Sequence, residues 1–172
     1  MSLHRAEQKG YRELYLSARE ARTRLDRLAE ALPQEAAAPV ARASSSLGEL
    51  VDELRPATAK HDLHAELAAD GGGARIGMVR SAILDRFLER NQALRFAVDD
   101  LEHVTTLLGY LSAISEKRRH KQLAELCESW ERRMRRQVGT VRKVAIGLGD
   151  DPDGAIELLD PTEVAKLART AS

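Results

Sequence analysis

The sequence has few aromatic residues, one cysteine and no long apolar run, and each shortage narrows the class of protein that it can encode. Aromatic residues make up 3% of the chain, which disfavours a β-sandwich or barrel because strands draw on aromatic and β-branched side chains. The single cysteine, Cys127, has no second cysteine for a disulfide within the chain and excludes a cysteine-rich zinc site. No run of about 18 apolar residues is present, so no membrane-spanning segment is predicted.

Acidic and basic side chains balance in this chain of 172 residues. There are 27 of each, so the formal net charge is zero with histidine neutral. Hydrophobic residues account for 43% and charged residues for 31%, a balance typical of one globular domain. Residues 1–7 are charged almost from the start and lack the apolar core of a signal peptide. We therefore expect a cytoplasmic protein.

Apolar residues recur at alternating steps of three and four, the spacing that places side chains on one face of a helix. Phe87, Leu94, Leu101 and Leu108 also repeat every seven residues, as in the seam of a bundle or coiled coil. We predict an all-α fold. Its architecture is expected to be an antiparallel up-down-up-down four-helix bundle with long helices, a kink near Pro56 and a short C-terminal helix.

The bundle is expected to fill residues 1–149. Its helices are predicted at about 3–32, 35–70, 74–115 and 117–147, and residues 150–172 are predicted to form an acidic turn and a short helix. The boundary between the third and fourth helices is weakly marked, because no glycine or proline lies near it. We expect a turn near residues 115–121, since one helix over 74–147 would be roughly 110 Å long and too extended for a small domain.

The third predicted helix carries a second apolar stripe beside its heptad seam. Its members, which also align with His103, are Phe96, Leu107, Tyr110 and Ile114. A helix that is apolar on two sides is either central in its fold or docked against another chain. The stripe predicts a homo-oligomer, with a dimer as the first expectation. Such a dimer would bury part of the stripe against its symmetry mate.

The neutral total conceals a basic fourth helix. Residues 116–149 carry a net charge of +6, whereas residues 33–73 and 150–172 carry −4 each. The basic face comprises Arg132, Arg135, Arg136, Arg142 and Lys143. It is either a surface for an acidic protein partner or a solvated face balanced by the acidic segments. Nucleic acid is disfavoured, because aromatic side chains for base stacking are scarce and no glycine-rich phosphate loop is present.

Histidines supply the alternative of a metal site. His61 and His64 share one helix face, and His103 follows Asp100 at the same spacing. Carboxylates on a facing helix would complete a site in the bundle core. The architecture resembles that of ferritin-like di-iron proteins, whose signature is a repeated Glu-x-x-His. This sequence contains no Glu-x-x-His, so the resemblance is limited to the architecture.

A phosphoacceptor is the further alternative. His61-Asp62-Leu63 resembles the start of a phosphoacceptor box in two-component signalling, where a histidine on a bundle helix takes up a phosphoryl group. Such boxes carry lysine and glycine shortly afterwards, whereas this chain has His64 and Ala65. A histidine phosphotransfer module would use His61 in this way.

The sequence as a whole favours a non-enzymatic interaction or scaffold protein that self-associates. No Ser/His/Asp or Cys/His spacing indicates nucleophilic catalysis, and no cofactor is predicted. Cys127 lies on the apolar stripe of the fourth helix and is expected to be a buried, unreactive thiol.

Overall fold

The structure is a computed structural model that describes residues 3–59 and 88–159, and the statements below concern those residues. They form four long helices followed by a 3₁₀ turn and one short helix: α1 (Arg5–Ala31), α2 (Gln34–Ala59), α3 (Arg90–Lys117), α4 (Lys121–Gly147), the turn Leu148–Asp150, and α5 (Pro152–Ala155). The described ranges contain no β-strand beyond a single bridge between Glu89 and Leu158. The predicted all-α class is confirmed. Among the described helices, none combines the length and the apolar character that crossing a membrane requires.

Helix α1 begins with a capping box built on a histidine. His4 Nδ1 accepts a hydrogen bond from the N–H of Ala6 (3.1 Å), and Glu7 Oε2 accepts one from the N–H of His4 (2.8 Å). These bonds satisfy N–H groups that have no partner within the helix. The helix ends at Ala31, two residues before Pro33, because a proline disfavours helical backbone in the residue ahead of it.

Helix α2 continues through both of its prolines. Pro39 lies in its second turn and Pro56 lies three residues before Ala59, where the described part of the helix ends. The chain is therefore helical at the position where the kink or break was expected. The remainder of the predicted second helix, residues 60–70, lies outside the described residues, as does the predicted start of the third helix at residue 74.

A turn separates α3 from α4 within the expected residues 115–121. The N–H of His120 bonds to the carbonyl of Ser115 (2.8 Å), and the N–H of Arg119 bonds to the carbonyl of Glu116 (2.9 Å). This pair of bonds is the Schellman pattern of a helix C-terminus, which needs a left-handed residue. Arg119 takes that conformation, with φ 60°, although it lacks the freedom of glycine and pays about 1–2 kcal/mol for it.

The four long helices pack as a ring in the order α1, α2, α4, α3. Side-chain contacts fix their directions. Arg24 meets Asp100 (2.6 Å) while Tyr11 meets Ser115 (3.1 Å), so α1 and α3 are antiparallel.

The other three neighbouring pairs are antiparallel as well. Glu49 pairs with Arg133 (2.6 Å) and Glu53 with Trp130 (2.8 Å) across α2 and α4. The same holds for α1 with α2 and for α3 with α4. In their contacts, residue numbers rise along one helix as they fall along the other.

The helix directions along the chain are therefore up, down, down, up, which corrects the expected up-down-up-down order. The predicted antiparallel packing of neighbours holds, but α1 and α3 are adjacent and antiparallel instead of parallel. Antiparallel neighbours are compatible with either order when a connection is long enough to run the length of the bundle. The described part of α2 ends at the opposite end of the bundle from the start of α3.

The core lies between the four helices and is formed by the apolar stripes expected from the sequence. Each long helix contributes fully buried side chains, for example Leu14, Leu50, Leu101 and Met134. Within the described residues, the four helices therefore enclose one apolar interior. Large apolar side chains that lie outside it and remain exposed are candidates for contact with a partner.

Gly10→Ala is expected to destabilise the bundle, whereas Gly139→Ala is expected to stabilise it. A Cβ at Gly10 would lie 2.8 Å from Cδ2 of Leu111, a fully buried side chain at the α1–α3 crossing. A Cβ at Gly139 would meet nothing within 4 Å. We expect a loss of about 1–2 kcal/mol in the first case and a gain of about 0.5–1 kcal/mol in the second, because alanine favours helix. Urea unfolding measures both, and equal gains for the two variants would contradict the close α1–α3 packing.

Candidate interaction surface and buried polar cluster

The predicted apolar stripe of α3 divides into exposed and half-buried members. Phe96 is 44% exposed and Tyr110 is 49% exposed. Leu107 and Ile114 are half-buried and pack against the core. The structure therefore places the two aromatic residues on the outer surface of α3, while the two aliphatic residues support the fold beneath them.

A groove lies beside Phe96, between the first half of α3 and the last turns of α4. It is open to solvent and has a volume of about 530 Å³. Most of its lining side chains are polar or charged, among them Arg95, Asp99 and Arg142, and its apolar members include Phe96 and Ile146. Ile146 is 70% exposed. The exposed apolar area at this end of α3 is thus wider than one side chain.

The predicted basic face of α4 is largely paired with carboxylates. Arg132 bonds to Glu128 (2.7 Å), Arg135 bonds to Glu131, and Arg142 bonds to Glu102 of α3. Arg136 and Lys143 are exposed. Exposed pairs of this kind contribute little to stability, but they reduce the local positive charge. The solvated interpretation of the face fits these contacts better than a dedicated surface for an acidic partner.

The histidines do not converge on a site within the described residues. His103 is exposed, and its Nε2 lies 3.4 Å from the Glu13 carboxylate on α1. His61 and His64 lie outside the described residues. In the part of the chain that the structure describes, no group of three or more His, Cys, Asp or Glu side chains is arranged to hold a metal.

A buried carboxylate that the sequence analysis missed lies at the end of the bundle where α1 begins. Glu7 is fully buried, and its Oε1 lies 2.8 Å from Nδ1 of His120 and 3.1 Å from Oγ of Ser115. Its Oε2 accepts the bond from the N–H of His4. One side chain of α1 thereby binds the end of α3 and the residue that precedes α4.

The hydrogen bonds of this cluster have one consistent direction when Glu7 is ionised. Burial by itself raises the pKa of Glu7, but the bonds from His120, His4 and Ser115 together outweigh burial and lower it. A carboxylate only accepts, so His120 carries its proton on Nδ1 and Ser115 donates to Glu7.

The same order of donors and acceptors continues towards the centre of the bundle. Because the Ser115 hydroxyl donates to Glu7, the hydroxyl of Tyr11 donates to Ser115 (3.1 Å) and accepts from the thiol of Cys127 (3.6 Å). Burial raises the pKa of Tyr11 and raises that of Cys127 to about 11. Both groups are therefore protonated at neutral pH, and the expected unreactive character of the thiol agrees with this pKa.

The cluster connects three helices, and neither its phenol, Tyr11, nor its thiol, Cys127, is ionised at neutral pH. One local signal was available in the sequence, because His4 and Glu7 have the spacing of a capping box. The contact of Glu7 with His120 joins residues 113 positions apart, and no local pattern indicates it.

Comparisons of this chain with protein-family models, with curated proteins and with solved structures find no match. The geometry of the described residues therefore carries the functional argument.

Glu7→Gln is expected to lower the free energy of unfolding by about 2–3 kcal/mol at pH 7, because a neutral amide cannot accept the same charge-assisted bonds. Since the pKa of Glu7 is below its ordinary value of 4.5 in the folded protein, its stabilising contribution is complete above pH 4.5 and declines as the pH falls below it. As the pH is lowered from 5, the free energy of unfolding of the variant should therefore decrease less than that of the wild type. Urea unfolding across this pH range measures the difference.

Glu13→Gln is the matched control. Its carboxylate is on the same helix but exposed, and it contacts His103 at the surface, so we expect little change in stability. An equal effect of the two substitutions would contradict the role assigned to the buried carboxylate.

Proposed function

We propose that this chain is a non-enzymatic helical-bundle protein that acts by self-association, with the outer surface of α3 as its contact. The observation that carries the proposal is the exposure of Phe96 and Tyr110 on one side of the same helix. Of the chain's six aromatic residues, three of those described, namely Tyr11, Tyr15 and Trp130, are buried. Exposing two on one helix is costly unless a partner covers them.

Contact between identical chains agrees with the character of the surface. Protein interfaces are enriched in aromatic residues relative to the rest of the surface. On the outer surface of α3 the exposed polar residues Asp99, His103 and Thr106 lie between the two aromatic residues. The basic face of α4 is a weaker candidate, because its arginines already contact carboxylates of the same chain.

The other candidate functions gain no supporting observation. A metal site or a phosphoacceptor would depend on His61 and His64, which lie outside the described residues. His103, the third histidine in those hypotheses, is on the surface beside Glu13. A cytoplasmic location stays a prediction from the sequence.

Tyr110→Asp is expected to weaken self-association by at least about tenfold. A twofold-symmetric contact loses two aromatic side chains per dimer and gains two charges in their place. The ring of Tyr110 is 49% exposed and its Cε1 lies beside Gly10 of α1, so we expect a small fall in the unfolding midpoint and an unchanged helical content. Sedimentation velocity over a range of protein concentrations measures the association.

Ser45→Asp provides the matched control, since it adds the same charge at an exposed position of α2, the helix diagonally opposite α3 in the ring. We expect its association to equal that of the wild type. A wild-type chain that sediments as a monomer at every concentration would overturn the proposed function.

A further inference from the structure

Five exposed residues, four on α3 and one at the position just before it, recur at intervals of seven. They are Glu89, Phe96, His103, Tyr110 and Lys117, and every one of them is exposed. Positions seven apart on a helix drift by only about 20° per interval, so the line stays on one side of α3 over a length of about 42 Å. We refer to these five residues as the outer line.

The outer line is arranged symmetrically about His103. The aromatic residues Phe96 and Tyr110 lie seven positions to either side of it, and the oppositely charged Glu89 and Lys117 lie fourteen positions to either side. Reversing the direction of the helix therefore exchanges aromatic with aromatic and acidic with basic. A surface with this property is complementary to an antiparallel copy of itself.

We infer that two copies of the chain pack α3 against α3 in antiparallel fashion, with a twofold axis at His103. Phe96 of each chain then packs on Tyr110 of the other, and Glu89 of each chain pairs with Lys117 of the other. This inference rests on the proposed self-association and specifies its geometry.

The charges discriminate between the two directions of packing. A parallel, in-register pair would place Glu89 against Glu89 and Lys117 against Lys117, two repulsive contacts. The antiparallel pair replaces them with two attractive ones. Neither residue belongs to the ion pairs described above, and the Glu89 side chain makes no capping hydrogen bond to α3.

The residues beside the outer line allow the close approach that aromatic contacts need. A second row of residues lies three positions after the first four members of the outer line. Its side chains are polar or small: Gln92, Asp99, Thr106 and Ala113. In the antiparallel register Asp99 faces Thr106 of the second chain and Gln92 faces Ala113, so like charges do not meet there. The groove beside Phe96 leaves room for the incoming ring of Tyr110.

Cross-linking tests the register directly. Phe96→Cys and Tyr110→Cys proteins are mixed and treated with a short bis-maleimide that spans the ~8–10 Å between packed helices. The antiparallel pair predicts a cross-linked dimer that contains one chain of each variant, and strong self-cross-linking of His103→Cys alone. The wild type is the background control, because Cys127 is fully buried and burial raises its pKa to about 11.

Charge reversal provides a second test that leaves the aromatic contact intact. Glu89→Lys alone and Lys117→Glu alone should each weaken dimerisation roughly tenfold at low salt, since each creates two like-charge contacts per dimer. The double variant should restore the wild-type affinity. Sedimentation at low and high salt measures this, and the effect should shrink as salt is added.

The possible outcomes distinguish a failure of the antiparallel register from a failure of the proposed self-association. Self-cross-linking of Phe96→Cys without the mixed product, or a double charge variant weaker than either single one, would overturn the antiparallel arrangement in a protein that still dimerises. A monomeric wild type would overturn both the arrangement and the proposed self-association.

Discussion

The buried carboxylate of Glu7 is the constraint on which one end of the bundle depends. An ionised group without access to water is tolerated only when hydrogen bonds replace its hydration, and Glu7 receives them from the first turn of α1, from the last turn of α3 and from the residue ahead of α4. The left-handed Arg119 in the Schellman turn brings His120 back into reach. A local backbone cost is thereby offset by a contact that joins three helices.

The same cluster determines the register of α1 against α3, and therefore the orientation of the outer surface of α3. Tyr11 and Ser115 meet in the interior. One helical turn before Ser115 on α3, Leu111 approaches the backbone of α1 closely, which Gly10 allows because it has no side chain. With α1 on one flank and α4 on the other, the remaining side of α3 faces solvent. Its aromatic residues are exposed because of this packing, although they lie on the same helix as a fully buried seam.

Much of the fold could be predicted from the sequence, because helical periodicity directly reports which side chains are buried. The stripe through Leu14 and Leu25 on α1 is buried as expected, and the turn between α3 and α4 lies where a compact domain requires one. The order of helix directions could not be predicted, since antiparallel neighbours satisfy the same stripes in either order. The contact between Glu7 and His120 could not be predicted, because the two residues are 113 positions apart in the sequence. On α3 the stripe identified Phe96 and Tyr110 but could not separate them from Ile114, whose exposure depends on where α1 lies.

The up, down, down, up order also bears on how the chain could assemble. In this ring α3 has α1 and α4 as neighbours and lies diagonally opposite α2, so its outer surface is remote from the acidic second helix. Charged side chains of the flanking helices also lie near the outer line, but they already contact α3: Glu13 of α1 contacts His103, and Arg142 of α4 bonds to Glu102 beside the groove at Phe96. Reversing α3 about His103 matches Glu89 with Lys117, the oppositely charged ends of the outer line. The charge complementarity of the proposed contact therefore comes from α3 itself.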